Sequence, residues 1–248
     1  MYFSVITPVN LRQAAHEMAQ SAAYAEHQWL WKFFPSSQDQ QRDFIFRRYD
    51  QEVTPRFYIV SKREPVAFSE VWQVQSRPYA PQLSDGQHLS FQLRANPVIT
   101  KTNDKGKPQR HDVVMDAKKR LLLEHGLTED ATWRDWKRDD KPLLYDLTQQ
   151  TCLDWLQSRS DRLGFSIVAA NVDAYQQHRA DKQHKQHRAD KQHKQRRADK
   201  PEILFSTVDF SGELIVTDHE LFHHTLFHGI GHAKAFGCGL LLVKKSES

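Results

Sequence analysis

Four glycines and a lysine lie within eleven residues near the C-terminal end of the chain. The glycines are Gly229, Gly231, Gly237 and Gly239, and Lys234 lies between the two pairs. Glycine has no Cβ, so its backbone can take positive φ and its N–H groups can approach a bulky anion. Lysine adds a point charge suited to phosphate. The pattern favours a cradle for a phosphate backbone, with two tight turns as the alternative.

The common nucleotide-binding motifs do not fit this segment. Gly-x-Gly-x-x-Gly would need glycine at position 234, and the Gly-Lys-Ser/Thr phosphate loop is absent from the chain. A dinucleotide or ATP site is therefore not expected, and no cofactor is predicted.

A tyrosine and a histidine three residues apart form the second candidate site. Tyr24 and His27 would share one face of a helix, and the aromatic residues that follow would partly bury the imidazole and tune its pKa. Such a pair can move protons without a metal ion. The alternative is an ordinary packed histidine, because histidines among aromatic residues usually belong to the core.

Histidines are also frequent in the last predicted helix. His219 and His223, and likewise His224 and His228, have the i,i+4 spacing found among metal ligands. No His-Glu-x-x-His motif accompanies them, and apolar residues on the opposite face place them towards solvent. The chain has two cysteines, too few for a thiolate site or a disulfide framework. No metal site is predicted, and a histidine–metal hydrolase stays an alternative.

Strands and helices alternate along the chain, which predicts an α+β fold. Asn10 is predicted to cap the first helix and Thr217 the last, and Phe210–Leu214 is predicted to form a tight turn. Two small modules, each a sheet with helices on one face, are the simplest architecture. The predicted strands cover Tyr2–Val9, Phe44–Phe46, Arg56–Val60, Val71–Gln75, Leu89–Leu93, Phe165–Asn171, Glu202–Val208, Leu214–Val216 and Leu240–Val243. The other predicted helices begin at Leu11 and cover Val113–His125 and Gln149–Leu163.

Positive charge is concentrated in two segments. A nine-residue unit starting at His178 recurs unchanged at His187, followed by a truncated copy at Arg196–Lys200. Residues 175–200 carry nine Lys or Arg against three Asp, a net +6, which leaves −2 for the rest because the whole chain is +4. A second basic cluster covers Lys101–Arg120. Such patches suit a polyanionic partner, although the repeat is more typical of a solvated loop insertion than of a basic arm that binds nucleic acid.

The ends of the chain and its hydropathy bear on location. The N-terminus has no basic leader, and no apolar segment approaches the length of a membrane span. We therefore expect a cytoplasmic protein without a membrane partner.

Four stretches together resemble one family, the CasE-type CRISPR-associated endoribonucleases, which process precursor RNA within the type I-E Cascade complex. The last two stretches, which contain Arg-Ala-Asn-Pro and the glycine-rich segment, are the most specific. The order and spacing of all four fit across nearly the whole chain. The stretches are Tyr24–Pro35, Arg42–Phe46, Phe91–Pro97 and Gly229–Leu241.

This resemblance implies two ferredoxin-like (RRM-like) modules in tandem. They would cover residues 1–86, with the catalytic histidine, and 87–248, with the repeat insertion at about 176–200. It also implies metal-independent cleavage at the base of the CRISPR repeat stem-loop, by attack of a 2′-OH on the scissile phosphate. The products would carry a 2′,3′-cyclic phosphate and a 5′-OH.

The family's site residues map onto positions of this chain. His27 corresponds to the catalytic histidine and Tyr24 to its assisting tyrosine, while the glycine-rich segment with Lys234 corresponds to the family's loop at the RNA backbone. The basic segment after Arg-Ala-Asn-Pro supplies further RNA contacts, with Lys101, Lys105, Lys107 and Arg110 as candidates. The implied partners are the crRNA stem-loop and other Cascade subunits. A non-catalytic subunit that holds the RNA is the nearest alternative.

Overall fold

The first four strands form one antiparallel sheet. The computed structural model describes residues 1–19, 25–35, 41–49, 54–181 and 202–246. The strands lie in the order β2–β3–β1–β4, and β1 pairs antiparallel with both β3 and β4. This is the strand order of a ferredoxin-like sheet. The strands are β1 Tyr2–Pro8, β2 Phe44–Tyr49, β3 Arg56–Ser61 and β4 Trp72–Pro78.

Two helices join β1 to the rest of this sheet. Helix α1 covers Leu11–Ala19, and the Asn10 side chain accepts a hydrogen bond from the Gln13 backbone N–H at 3.1 Å, so the predicted cap is correct. Helix α2 covers Ala25–Leu30 and continues into a 3₁₀ turn at Trp31–Phe33. The core beneath is rich in aromatic side chains, which gives a small module a large buried apolar area. Its buried aromatic members are Trp29, Phe33, Phe34, Phe44, Phe46, Phe57 and Trp72.

The second half of the chain repeats this topology. Its main sheet has the order β10–β5–β9–β8, with α3 and α4 between β5 and β8 and with α5 between β9 and β10. The prediction of an α+β fold with two tandem ferredoxin-like modules is therefore confirmed. The strands are β5 His88–Ala95, β6 Val98–Thr102, β7 Pro108–Asp112, β8 Phe165–Asp181, β9 Glu202–Val216 and β10 Leu241–Lys245. The helices are α3 Val113–Glu124, α4 Leu144–Ser160 and α5 His219–His228.

The predicted tight turn at Phe210–Leu214 is wrong, because β9 runs through it without interruption. Val208, Phe210 and Leu214 are fully buried, and they alternate along the strand as expected for one face of a sheet. Gly212 pairs with Phe91 of β5. A Cβ at Gly212 would overlap the backbone at Ala169 of β8. The glycine therefore permits close strand approach instead of a turn.

Several other boundaries differ from the sequence-based expectations. Helix α4 begins five residues before the predicted Gln149, and β8 extends ten residues beyond Asn171. Helix α5 is capped by Asp218, not Thr217, since the Asp218 carboxylate accepts the Leu221 N–H at 2.9 Å. The hairpin β6–β7 was not predicted at all. Of the repeat insertion, residues up to 181 end strand β8, and 182–200 lie outside the described residues.

The chain divides into two units that are each assembled from several segments. The first, called the N-terminal unit below, comprises residues 1–79, 177–205 and 235–237. The second, the C-terminal unit, comprises residues 80–176, 206–234 and 238–248. The predicted domain boundary between residues 86 and 87 stays a prediction.

Candidate functional site

His27 packs among aromatic rings in the N-terminal unit. Its imidazole stacks on Phe44 of β2, with ring centroids 5.7 Å apart and planes 28° apart. Trp31 meets both rings edge-on, at 6.1 Å from His27 and 5.3 Å from Phe44. Phe34 stacks on Phe44 at 4.6 Å. The sequence-based expectation of a partly buried imidazole among aromatic residues is therefore correct.

This environment keeps the His27 side chain neutral at pH 7. Burial away from water, together with the positive charge of Arg42, lowers the pKa of the imidazole from 6.5 to about 4. The Nε2 atom is buried and has no hydrogen-bond partner within the described part of the chain. A neutral imidazole has one N–H and one lone pair, so it can accept one proton and donate another. Buried polar atoms without a partner are rare, and a catalytic role is one of the explanations for such an atom.

The other predicted residues near His27 have different outcomes. Tyr24 lies outside the described residues, so its pairing with His27 stays a prediction. Trp29 and Phe33, two of the aromatic residues that follow His27, are buried in the core, 3% and 0% exposed.

The four basic candidates that follow Arg-Ala-Asn-Pro lie on one exposed hairpin of the C-terminal unit. Lys101 belongs to β6 and Arg110 to β7, and Lys105 and Lys107 lie in the connecting turn. All four side chains are exposed. Lys101 Nζ contacts Asp116 Oδ1 of α3 at 2.5 Å, which neutralises part of its charge. The hairpin therefore presents a basic edge, as expected of an element that binds phosphates.

Every glycine of the predicted cradle has positive φ, between 72° and 95°. Gly229 ends α5, and its N–H donates to the Thr225 carbonyl at 2.8 Å. The Gly239 N–H donates to the Arg94 carbonyl at 2.7 Å, and a Cβ on Gly239 would come within 2.8 Å of the Ile230 carbonyl oxygen. Tight turns and close packing therefore explain these glycines, and a contact with phosphate stays a prediction.

The hairpin and the glycine-rich loop contribute to one positive field inside the C-terminal unit. It acts on the side chain of His232 in the loop. Partial burial lowers the pKa of His232, and the charges of Arg110, Lys234 and Arg159 lower it further. Three cations from β7, the loop and α4 thus act on the same small volume. Such a concentration of positive charge attracts a polyanion.

His232 and Arg159 were missed by the sequence analysis. Arg159 lies over the Trp155 ring at 4.4 Å and donates to the Trp155 and Val98 carbonyls at 2.8 and 3.2 Å. Nothing in the sequence of α4 distinguishes this arginine, because only the packing of α4 brings it near β6. His232 could have been found, since it lies two residues from Lys234 inside the glycine-rich segment.

The histidines of α5 lie at the surface, as predicted. His219 Nδ1 lies 3.0 Å from Asp85 Oδ1, and this hydrogen bond raises the pKa of His219. The rings of His224 and His228 stack at 3.8 Å. Over the described ranges, no group of three or more His, Cys, Asp or Glu side chains is arranged to hold a metal ion. The helices described there also include none with the length and apolarity needed to cross a membrane.

Comparison with known proteins decides the family. Residues 1–245 match the family described as CRISPR associated protein. The chain belongs to this family. The CRISPR system Cascade subunit CasE of Escherichia coli strain K12 is 28% identical over 221 residues, which cover 88% of this CRISPR-associated protein and 89% of that subunit. The resemblance to the CasE type is therefore confirmed.

Solved structures show the same fold. The CRISPR endoribonuclease Cse3 bound to a 19-nucleotide RNA matches this CRISPR-associated protein with a TM-score of 0.65 and 22% identity, covering 98% of this chain and 100% of Cse3. The CRISPR-associated protein Cas6e from Escherichia coli K-12 matches with a TM-score of 0.52 and 23% identity, covering 99% and 100% of the two chains. At these identities the likeness supports the fold and carries no residue assignments.

Proposed function

We propose that this protein is a metal-independent endoribonuclease that cleaves CRISPR precursor RNA at the base of the repeat stem-loop. The observation that carries the proposal is the neutral imidazole of His27, with its low pKa and an Nε2 atom that has no partner within the described residues. Family membership and the relatives named as CRISPR endoribonuclease and Cascade subunit support the substrate class.

The proposed reaction needs a group that accepts a proton at neutral pH. His27 removes the proton from the 2′-hydroxyl upstream of the scissile phosphate, and the oxygen attacks phosphorus. The bond from phosphorus to the 5′-oxygen breaks, the leaving oxygen takes up a proton from water, and His27 releases the proton it accepted to the solvent. The products are a 2′,3′-cyclic phosphate and a 5′-OH. His27 Nε2 is buried in the structure. The 2′-hydroxyl therefore reaches Nε2 only when RNA binding moves the imidazole or the side chains that cover it.

The cations of the C-terminal unit are assigned to RNA binding. Double-stranded RNA has a deep, narrow major groove, so we expect the stem to be recognised mainly through its shape and phosphates. The hairpin β6–β7 and the loop around Lys234 supply the charge for this, with Arg159 and His232 as further candidates. We place the mature RNA and the other Cascade subunits as the lasting partners, and the cytoplasm as the site of the reaction.

Replacing His27 by alanine tests the catalytic role. We expect cleavage of the host's own repeat hairpin to fall by at least about a hundredfold, since general acid–base catalysis contributes roughly 10²–10⁴-fold. The affinity for the uncleaved hairpin should stay unchanged. His88→Ala is the matched control, because His88 is an exposed histidine of the C-terminal unit. Full cleavage by His27→Ala would disprove the assignment.

Two substrate and solvent controls separate this proposal from its alternatives. A hairpin with a 2′-deoxynucleotide upstream of the scissile phosphate should bind and not be cut, because the nucleophile is missing. Excess chelator should leave the rate unchanged, whereas a histidine–metal hydrolase would lose activity. If the unaltered protein binds the hairpin tightly but cuts none, it is the non-catalytic RNA-holding subunit instead.

A further inference from the structure

Arg63 connects the two chain segments that carry the rings around His27. It follows β3, and its guanidinium forms a bidentate pair with Asp43, with Nε to Oδ2 at 2.7 Å and Nη2 to Oδ1 at 2.9 Å. Its Nη1 donates to the Pro35 carbonyl oxygen at 2.6 Å. Pro35 lies two residues after the 3₁₀ turn that continues α2, and Asp43 directly precedes β2. One side chain therefore links both segments.

The same guanidinium also lies against aromatic rings. It is 5.4 Å from the Phe34 ring centroid and 6.0 Å from that of Trp31. Phe34 stacks on Phe44 at 4.6 Å with planes only 11° apart, and Phe44 stacks on His27 at 5.7 Å. A continuous series of contacts thus runs from Arg63 through two phenylalanine rings to the imidazole.

The sheet fixes both partners of the Arg63–Asp43 pair. The register pairs Phe44 with Ser61, which brings Asp43 next to Lys62, and the Lys62 N–H donates to the Asp43 carbonyl at 3.0 Å. The fully buried Ser61 hydroxyl donates to the Arg63 carbonyl at 2.6 Å. The hydrogen bonds from Arg63 lower the pKa of the Asp43 carboxyl, which stays charged. Because the backbone on both sides is fixed, this pair is more rigid than an ordinary surface ion pair.

We propose that Arg63 is a positioning residue for His27, holding the Phe34–Phe44 stack against which the imidazole packs. The inference rests on the proposed function, since it concerns the same site. Arg63 acts through the rings and takes no part in proton transfer.

Other charged groups near the imidazole do not replace this role. Arg42 precedes β2 and lowers the pKa of His27 through its charge. Glu26 of α2 and Arg48 of β2 form an ion pair with each other. Lys32 lies over Phe68, 5.3 Å from the ring centroid. Arg63 is the residue whose guanidinium donates hydrogen bonds to both Pro35 and Asp43.

Arg63→Ala should loosen the stack and displace the imidazole. We expect kcat to fall by at least about tenfold with KM unchanged, because a displacement near 1 Å can cost on the order of 10²-fold in rate. Water would also reach the ring, so the pKa of His27 should rise from about 4 towards 6.5. Arg63→Lys keeps the charge but lacks the planar fork, and it should not restore the rate.

Arg77→Ala is the matched control. Arg77 lies in the same unit over the Phe3 ring, 5.4 Å from its centroid, on the exposed side of β4. Its removal deletes a similar cation–aromatic contact without touching the Phe34–Phe44 stack. We expect kcat, KM and the pKa of His27 to stay at their original values.

The decisive measurement is the NMR titration of His27 in each variant, assigned by comparison with His27→Gln, because it needs no RNA. Unchanged His27 pKa and unchanged kcat in both Arg63 variants would overturn the inference. So would a lower melting temperature with the pKa unchanged, which indicates a structural role, or a raised KM alone, which indicates RNA contact. If Arg63→Ala does not fold, Arg63→Lys decides. If His27→Ala cleaves normally, the proposed function fails, yet the titration still tests whether Arg63 positions the ring.

Discussion

His27 differs chemically from His219, an exposed histidine of the same chain. Burial lowers its pKa, whereas the Asp85 carboxylate raises that of His219. The sequence predicted half of this environment, because the aromatic residues that follow His27 lie in the same short segment. It could not predict the contacts with Phe44 and Arg42, because these residues follow His27 by 17 and 15 positions and only the placement of β2 in the sheet brings them to the ring. The local composition therefore predicted that the pKa of His27 is shifted, but not which contacts from β2 contribute to the shift.

The low pKa of His27 predicts an acid-sensitive fold. Below pH 6.5 the unfolded chain binds a proton that the folded protein takes up only near pH 4, so the free energy of unfolding should fall across this window. The full shift is worth about 3 kcal/mol, and residual solvation of the ring reduces the expected loss to roughly 1–2 kcal/mol. Urea unfolding of the original protein and of His27→Gln between pH 7 and pH 4 measures the difference.

His219→Gln provides a control of opposite sign. The raised pKa of His219 contributes stability below its unfolded pKa, and this contribution is lost as the pH rises through the folded value. At low pH, His219→Gln should therefore lower the free energy of unfolding, whereas His27→Gln should raise it. If His27→Gln loses as much stability on acidification as the original protein, His27 is not the buried neutral group described here.

Strand β9 shows where a local pattern misleads about an element. The segment Phe210–Leu214 contains a central glycine and polar neighbours, which is typical of a turn. Its alternation of buried apolar side chains is equally consistent with a strand, and pairing with β5 and β8 decides between the two. The pairing with β5 joins residues more than a hundred positions apart, and β8 meets Gly212 at Ala169, 43 positions away, so no local window contains either contact. The existence of most elements was predictable, but the continuity of β9 was not.

Gly212→Ala tests this explanation of the glycine. A Cβ would overlap the backbone of β8 at Ala169 and approach the Ala170 Cα to 2.7 Å, and neither atom can move without shifting the strand. We expect a loss of roughly 1–3 kcal/mol in the free energy of unfolding, as for other overpacked sites.

Glu213→Ala is the control for this variant. Glu213 is exposed and adjacent on the same strand, and it should change stability by no more than about 0.5 kcal/mol. Equal stability of the two variants would show that β8 and β9 do not approach each other so closely.

The strand order of the two main sheets shows what the family resemblance adds to the pattern of strands and helices in the sequence. Alternating strands and helices predicted two α+β modules, but the order of strands in a sheet is not encoded in alternation. The resemblance supplied the ferredoxin-like topology, which both sheets share. Neither the sequence patterns nor the family resemblance predicted the positive field around His232. Its three cations, Arg110, Arg159 and Lys234, come from three different elements and lie at least 49 positions apart in the sequence. Charge counted along the sequence shows how much is present, and only the fold shows where it converges.

The distribution of charge over the whole chain leads to the last prediction. Residues 175–200 contribute +6 to a total of +4, so the rest of the protein is net negative despite its basic hairpin and loop. Long-range attraction of RNA therefore depends on the repeat segment.

Deleting residues 182–200 should weaken the binding of the RNA stem-loop about tenfold at low salt. It should also make the slope of log affinity against log salt concentration shallower. Cleavage of RNA already bound should keep its rate, because His27 and its rings are untouched. A variant of equal length, with every Lys, Arg and Asp from 182 to 200 replaced by Gln, separates charge from length, because it has the same net charge as the deletion and should bind RNA as the deletion does. Unchanged affinity and salt slope in both variants would show that the segment is an inert insertion.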